Sequence, residues 1–410
     1  MDGTNDEVFD LLIVGGGLAG ATLACALGGQ GLRIALVEAV GGDDRQPPGF
    51  DDRALALARA TRQVFRALAL WPALAPQAAP IRHIHVSNRG HFGFVHLDAE
   101  EACVPALGYV IGARELGQAV VARARSLDDV HWFCPATLVA IEPGTATVAV
   151  RIRQPEGTRR LRARLLVGAD GTTSAVREQM GVPVTTHDYG QTAVIANLVP
   201  ERDPAATAWE RFTADGPLAV LPLTEGRCAL VWTWRNDRVE EVMGWSDERF
   251  LAELQPVFGY RLGRFLAVGR RSSYPLRLVR ARRSVGDRMV LVGNAAHSLH
   301  PVAAQGFNLG IRDLAALAEL VVAARRAGDD IGGPAVLARY ERWRRGDQRR
   351  AIALTDGLVR LFGSRFPPLV LARNLGMLAM DALPPAKSLL AGVMMGRAGR
   401  APRLVRGLAL

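Results

Sequence analysis

Phe9-Asp-Leu-Leu-Ile-Val14 is a short apolar run followed at once by Gly15-Gly-Gly17-Leu-Ala-Gly20, a helical stretch from Ala21 to Gly28, and a second apolar run, Arg33-Ile-Ala-Leu-Val-Glu38. Apolar runs this short, bounded by glycine, predict buried strands, so the order is strand, tight turn, helix, strand. Val290-Leu-Val292 runs into a polar turn, a Gly-rich loop and the start of a helix before Asp313. Arg162-Ala-Arg-Leu-Leu-Val-Gly168 predicts a strand ending in the Asp170-Gly171 turn, after which Ser174 is placed to cap a short helix carrying Arg177. In residues 181–275, stretches such as Leu218-Ala-Val-Leu-Pro-Leu223 and Cys228-Ala-Leu-Val-Trp-Thr-Trp234 predict an antiparallel sheet. From Gly357 to the end, leucine, methionine and phenylalanine recur among eight basic residues and one acidic one, as in basic amphipathic helices.

Glycine placement gives two of these turns their chemistry. Gly15 makes the turn, Gly17 lets backbone reach a pyrophosphate at the helix N-terminus, and Gly20 lets helix and strand pack closely. Glu38 ends the second strand, where a carboxylate accepts hydrogen bonds from a ribose. In the later loop, Gly306 and Gly310 admit a close ligand, and the N–H groups of Phe307 and Asn308 open a helix whose dipole favours negative charge. Such a loop suits a planar cofactor that becomes anionic on reduction. The Asp170–Arg177 segment is open between a ligand contact and a capped turn closed by a salt bridge.

Composition narrows the field. At 410 residues, 49% hydrophobic and 22% charged, the chain has the core of a globular protein of two or three domains. Among 50 basic residues Lys387 is the single lysine, and its Pro-rich setting fits neither a Walker A loop nor a Schiff base. The net charge of +10 comes from dispersed arginines with no nucleic-acid motif, so no nucleic-acid partner is expected. Acidic Asp2, Asp6 and Glu7 argue against a signal peptide, and no apolar run is long enough to span a bilayer. Cys25, Cys103, Cys134 and Cys228 lack CxxC spacing and sit among apolar neighbours, the mark of reduced core thiols in a cytoplasmic protein. His83, His85, His91 and His96 flank an Asn88-Arg-Gly90 turn, but without a completing cysteine or carboxylate no metal site is expected.

The three motifs, in this order, resemble the flavoprotein aromatic hydroxylases of the para-hydroxybenzoate hydroxylase type across nearly the whole chain. The resemblance implies an α/β fold: a Rossmann-type FAD-binding domain from residues 1–80, 106–180 and 276–350, a β-sheet substrate domain from 81–105 and 181–275, and a helical C-terminal region, 351–410. It implies that the first motif holds the ADP half of FAD, that Asp170 supports the pyrophosphate, that Asn294 lies against the ribityl chain, that Pro301 lines the flavin, and that the backbone at Phe307 and Asn308 faces the flavin N1–C2=O edge. Two positions depart from the family pattern: Asn294 replaces a carboxylate, and Ala304 stands where glycine is usual. These departures imply weaker or retuned FAD binding.

Segments including Gly49-Phe-Asp-Asp-Arg53, His85-Val-Ser-Asn-Arg-Gly-His91, Glu210-Arg-Phe-Thr213 and Gly216-Pro-Leu-Ala219 resemble the ubiquinone-biosynthesis branch, nearest the UbiH type that acts on 2-polyprenyl-6-methoxyphenol. In that branch Arg53 approaches the FAD phosphates and Arg114 lies on a helix along the cofactor, unless each serves a surface ion pair. The implied reaction uses NAD(P)H to reduce FAD and O2 to form a C4a-hydroperoxide, whose distal oxygen the polyprenyl phenol attacks. Alternatives are another ring position, a soluble aromatic substrate, or a non-catalytic FAD-containing subunit of a biosynthetic complex. Trp232-Thr-Trp234 resembles the WxW of flavin halogenases, but Arg235-Asn236 and the missing early lysine disfavour that class. Tyr189, Arg211 and Tyr274 are substrate-pocket candidates, with core packing or surface pairing as the competing role, and no side chain is assigned as base. His297 and His300 are expected to hold the flavin loop's hydrogen bonds. The basic C-terminal region is expected either to lie at the inner face of the membrane or on other ubiquinone-biosynthesis proteins, or to pack as a lid.

Overall fold

The computed structural model describes residues 7–41, 53–397 and 399–410. Asp2, Asp6 and the Gly49-Phe-Asp-Asp52 part of one family-like segment lie outside the described residues. Among the described residues three sheets form. The first, eight-stranded, has β1 (Glu7–Val14) at its centre, between β2 (Ile34–Val37) and β11 (Gly157–Gly168). It continues to β8 (Val130–Phe133) on one side and β19 (Met289–Leu291) on the other, all in parallel register, with β18 (Val285–Gly286) antiparallel at the edge. The antiparallel β9 (Thr137–Glu142) and β10 (Val148–Gln154) extend from β11. Buried β1 and β2 are nearly continuous apolar runs because helices cover this sheet, as parallel sheets require.

That cover comes from α1 (Leu18–Leu27), α4 (Ala113–Arg125) and α8 (Gln305–Ala327), whose Leu23, Leu116 and Leu314 share a core with Leu11 and Ile13. α1 starts at Leu18 because Gly17 is its N-cap, which puts the first helical turn directly on the glycine loop. Packing of α1 against β1 depends on Gly20, since a Cβ there would run into the Gly15 carbonyl oxygen. A small third sheet, β3 (Ala54–Ala58), β7 (Gly108–Gly112) and β4 (Ala79–Ile81), adjoins α2 (Arg59–Ala67) and the short α3 (Trp71–Leu74).

The remaining nine-stranded sheet runs β20-β17-β12-β15-β14-β13-β5-β6, with β16 (Phe265–Val268) beside β12. Its members are β5 (His83–Asn88), β6 (Phe94–Asp98), β12 (Val184–Pro200), β13 (Thr207–Phe212), β14 (Pro217–Pro222), β15 (Cys228–Arg235), β17 (Ser272–Ala281) and β20 (His297–Ser298). All its pairs are antiparallel except β13 with β5. One face, carrying Val194, Leu218, Leu230, Trp232 and Trp234, is sealed by Val242 of α6 (Val239–Met243) and by Phe250, Leu254 and Phe258 of α7 (Asp247–Phe258). Because strand side chains alternate, the other face is left for the part of the chain built on the first and third sheets. There Ala208 and Leu221 pack with Ala54, Ala56, Ile81 and Val110 of the third sheet.

Beyond α5 (Ala175–Gln179) and α8, the chain closes with α9 (Pro334–Gly363), α10 (Pro367–Ala382) and α11 (Pro384–Met394). α9 runs unbroken through residues 350–351, and the next prolines stand at the start of α10. Two basic residues of the C-terminal region are engaged with the body of the protein. Arg373 is buried and donates to the carbonyls of Leu361, Phe362 and Ser364, closing the end of α9. Lys387 pairs with Glu101 at 2.7 Å. Cys103 is exposed and Cys134 half-buried, unlike the core thiols expected of all four, because Cys103 occupies a tight turn with positive φ.

Candidate active site

Three loops meet at the C-terminal edge of the first sheet, where an α/β sheet ordinarily binds its ligand. In the first, Gly15 has φ +102°, and a Cβ there would lie 2.5 Å from the Ala169 oxygen, so the glycine loop is wedged against the Asp-Gly motif. Gly17 is the opposite case: a Cβ there would meet nothing within 4 Å. The α1 N-terminus it caps has no side-chain cap and no acid in its first turn. Glu38 accepts hydrogen bonds from Gly16 N at 2.6 Å and Val40 N at 2.8 Å, one on each carboxylate oxygen. It thereby ties the glycine loop to the end of β2.

Asp170 holds its own turn. It accepts from Ser174 Oγ at 2.5 Å and Val176 N at 3.0 Å, while Ser174 caps α5 by accepting from Arg177 N. Arg177 forms no salt bridge with Asp170, so the capped turn expected from the sequence is present without the ion pair expected to close it. Its guanidinium donates instead to the Ala295 and Thr172 carbonyls, at 2.9 and 2.8 Å, and so fastens the second motif to the third. Beside it Asn294 is exposed on a short 3-10 turn. Gly310 of α8 lets that turn sit close, since a Cβ there would lie 3.1 Å from Gly293 Cα.

The third loop is shaped by alanines. Ala303 (φ 59°, ψ 14°) and Ala304 (φ 49°, ψ 36°) are both left-handed, and Ala304 is the N-cap of α8, which has neither a capping side chain nor an acid in its first turn. Pro301 is exposed, while Gly306 and Phe307 are half-buried. The Asn308 side chain is buried and fully engaged: its Oδ1 accepts from Ala58 N (2.8 Å) and Thr61 Oγ1 (2.6 Å), and its Nδ2 donates to the oxygens of Ala56 (2.9 Å) and Ala304 (2.7 Å). Asn308 therefore fixes the open helix N-terminus against β3. Left-handed backbone costs an alanine roughly 1–2 kcal/mol, part of which glycine returns through its freer unfolded chain. Ala304→Gly is thus expected to stabilise the protein by about 1 kcal/mol, as read by urea denaturation. A loss of stability would show that the alanine methyl packs productively there.

Around this loop His300 is buried. Its Nδ1 accepts from Val302 N at 3.1 Å, and burial lowers its pKa to about 4, so the ring is neutral at pH 7. Tyr189 sets its ring edge-on to His300 and donates its hydroxyl to Asp356 of α9 at 3.2 Å; burial, then Asp356, pushes that hydroxyl up to about 12. His297 meets buried Asp313 at 2.5 Å. Asp313 sits well inside α8, bonded to Arg344 at 2.6 Å, and Asp347 joins Arg344 and Arg312 at 2.6 and 2.8 Å. This network under the loop was not evident in the sequence, because Arg344 and Asp347 are brought to Asp313 and Arg312 of α8 only by the packing of the next helix, α9.

The substrate-pocket candidates separate. Tyr274 lies under the Arg53 guanidinium, 4.7 Å from ring centre to Cζ, on the face of the large sheet that turns towards the third sheet. Arg114 is half-buried in the first turn of α4. Arg211, by contrast, is on the other face, with Trp209, and lines an open groove with His85, His91 and Arg261. Its neighbour in sequence, Glu210, takes the inward position in the same strand, a residue the sequence offers only as part of a motif. His85 bonds His96 at 2.8 Å across the β5–β6 hairpin. Among the described residues no group of three or more potential metal ligands forms.

Two uncapped helix N-termini flanked by close-packed glycine turns, one of them with open space at Gly17, fit a flavin dinucleotide and define a nucleotide-binding flavoprotein. A family profile described as an FAD binding domain matches residues 8–355. The chain is 41% identical over 411 residues to a ubiquinone hydroxylase, UbiL, of Rhodospirillum rubrum, covering 100% of this chain and 95% of that one. It is 32% identical to the 3-demethoxyubiquinol 3-hydroxylase of Escherichia coli K12, covering 91% and 94%. The fold is similar to that of p-nitrophenol 4-monooxygenase PnpA from Pseudomonas putida, with a TM-score of 0.80 at 18% identity over 96% of this chain and 99% of that one. The chain belongs to this FAD-binding family of aromatic hydroxylases, as an FAD-dependent monooxygenase with NAD(P)H as the co-substrate typical of the family.

Proposed function

We propose that the chain hydroxylates the ring of a polyprenylated phenol in ubiquinone biosynthesis, taking 2-polyprenyl-6-methoxyphenol to the benzoquinol with NAD(P)H and O2. The observation that carries this reading is the inward face of the large sheet. It offers Ala193, Ile195, Ala219 and Val231 in adjacent register, beside Tyr274, a small-residue, largely apolar surface suited to an aromatic ring with a long hydrocarbon chain. The names of the relatives support the pathway.

In this reading residues 1–80, 106–180 and 276–350 bind FAD, 81–105 and 181–275 cover the substrate, and 351–410 form the outer helical region. Gly15, Gly17 and Gly20 admit the pyrophosphate, Glu38 positions that loop beside the ribose, and Arg53 and Arg114 neutralise phosphate charge. Asp170 keeps the second turn in place, Asn294 bonds the ribityl chain, and Pro301, Gly306 and the backbone of Phe307 and Asn308 border the ring. FAD, when bound, supplies the oxygen-transfer chemistry. The protein's part is to stabilise negative charge with the α8 N–H groups, exclude water and orient the phenol.

No helix of the described residues is long and apolar enough to cross a membrane. The C-terminal helices nonetheless expose Phe366, Leu371, Leu375, Leu383 and Leu389, a ridge suited to resting on the inner face of the membrane that holds the substrate. Holoenzyme mixed with anionic liposomes containing 2-polyprenyl-6-methoxyphenol is expected to sediment with them, to oxidise NAD(P)H faster than with empty liposomes, and to yield a product one oxygen heavier. Oxidation indifferent to any phenol would sink the enzymatic reading, and a protein left in the supernatant would sink the membrane reading.

A further inference from the structure

Glu210 occupies the position in the large sheet where an acid is hardest to explain as structure. Alternation along β13 puts Ala208, Glu210 and Phe212 on the inward face, and register sets Glu210 between Val86 of β5 and Ala219 of β14. Along that row Ala219 lies opposite Val231, and Val231 opposite Ile195; one register step away Ala193 lies opposite Tyr274. Glu210 thus shares its face with Tyr274. The two contacts that enclose it are made by its own strand: Ala208 docks on the third sheet, and Phe212 stacks on Phe362 of α9 with ring centres 3.6 Å apart. Among the described residues the carboxyl has no hydrogen bond and no ion pair. Glu210 is half-buried, a carboxyl without a partner on a face whose register neighbours Val86 and Ala219 are apolar, and its place there calls for a chemical role.

We propose that Glu210 is the general base that accepts the ring-hydroxyl proton of the substrate, an inference that rests on the phenol hydroxylase reading above. The phenol O–H bond breaks as its proton passes to a Glu210 carboxylate oxygen. The electron pair stays on the phenol oxygen and enriches the ring carbon that is to be oxygenated. The neutral carboxylic acid then returns its proton to solvent before the next turnover.

Several features make the site suitable for that exchange. Burial, with no charged neighbour contributing, pushes the Glu210 carboxyl up to about 8, close to working pH, where a general base is most effective. The charges on elements packed around it are engaged elsewhere. Arg211 and Arg261 lie on the other face, Asp356 and Arg360 of α9 pair with each other, Arg53 rests on Tyr274, and Tyr109 of β7 turns to Trp71.

The test uses FAD-loaded wild type, Glu210→Gln and Glu210→Asp with 2-geranylphenol as probe. Glu210→Gln is expected to lower the rate of hydroxylated product about 100-fold. Probe binding and NAD(P)H oxidation should stay within about threefold, so the oxygen emerges as H2O2. In the wild type the product rate should rise with pH to a plateau above about 8, a limb missing from Glu210→Gln and restored in part by Glu210→Asp. An infrared difference spectrum of wild type minus Glu210→Gln should show a carboxylic acid band that disappears over the same pH range. A variant that hydroxylates with wild-type rate and pH profile overturns the base assignment alone. A wild-type enzyme that hydroxylates no prenylphenol overturns the functional reading, and this inference with it.

Discussion

Asp313→Ala is expected to lower stability by about 3–5 kcal/mol, the largest effect of any single change outside the hydrophobic core. The substitution leaves Arg344, which is 2% exposed, facing an empty place where its carboxylate partner stood. Asp347 then has to balance both Arg312 and Arg344 alone. The cost is that of an uncompensated buried charge, so Asp313→Leu combined with Arg344→Met should lose less than either single change. Urea unfolding of the three variants checks this, and a double variant weaker than both singles would count against it. The same network sets an acid limit. Burial raises the Asp313 pKa, but Arg344 and then His297 outweigh burial and bring it from 3.8 down to about 2. Its contribution is therefore complete above about pH 4 and is lost as pH falls towards 2.

Gly17→Ala is expected to weaken FAD binding about 100-fold, or roughly 2.7 kcal/mol, while barely changing the stability of the FAD-free protein. The added methyl meets no protein atom within 4 Å, and φ at this position, −69°, suits alanine. Exchange at this helix cap costs at most about 1 kcal/mol. Whatever else the methyl disturbs must be a ligand drawn close to the backbone. Gly20→Ala is the control, since its Cβ would strike the Gly15 oxygen and should damage loop and cofactor binding together. Fluorescence titration with FAD, alongside thermal unfolding without it, separates the two. Wild-type affinity in Gly17→Ala would mean that the pyrophosphate does not approach this loop.

The glycine loops were legible in the sequence because their requirements are local: Gly15 and Gly20 satisfy steric conditions imposed by a residue a few positions away or by the end of the neighbouring strand, and Gly17 follows from its fixed spacing between them. The faces of the large sheet were not. Alternation predicts that Glu210 and Arg211 point in opposite directions, but not which direction leads to the cofactor. That choice is made by Trp209 and its neighbours packing on α7, so Arg211, a candidate on charge and position, lies on the outer side. The buried ion network was illegible for a related reason. Asp313 resembles a polar residue near a helix start, and only the arrival of Arg344 from α9 shows that it is enclosed. Among the C-terminal charges, Arg373 could not be told by sequence alone to turn inward to the carbonyls at the end of α9.

The bonds from Asn308 to Ala58 and Thr61 join residues separated by 250 and 247 positions. During synthesis the first strand, the glycine loop and β3 emerge long before the residue that fastens β3 to the α8 N-terminus. A nascent chain can form the nucleotide end of the cofactor site early, but the ring end is completed only after about three quarters of the protein has been made. Cofactor capture is then a late step of maturation.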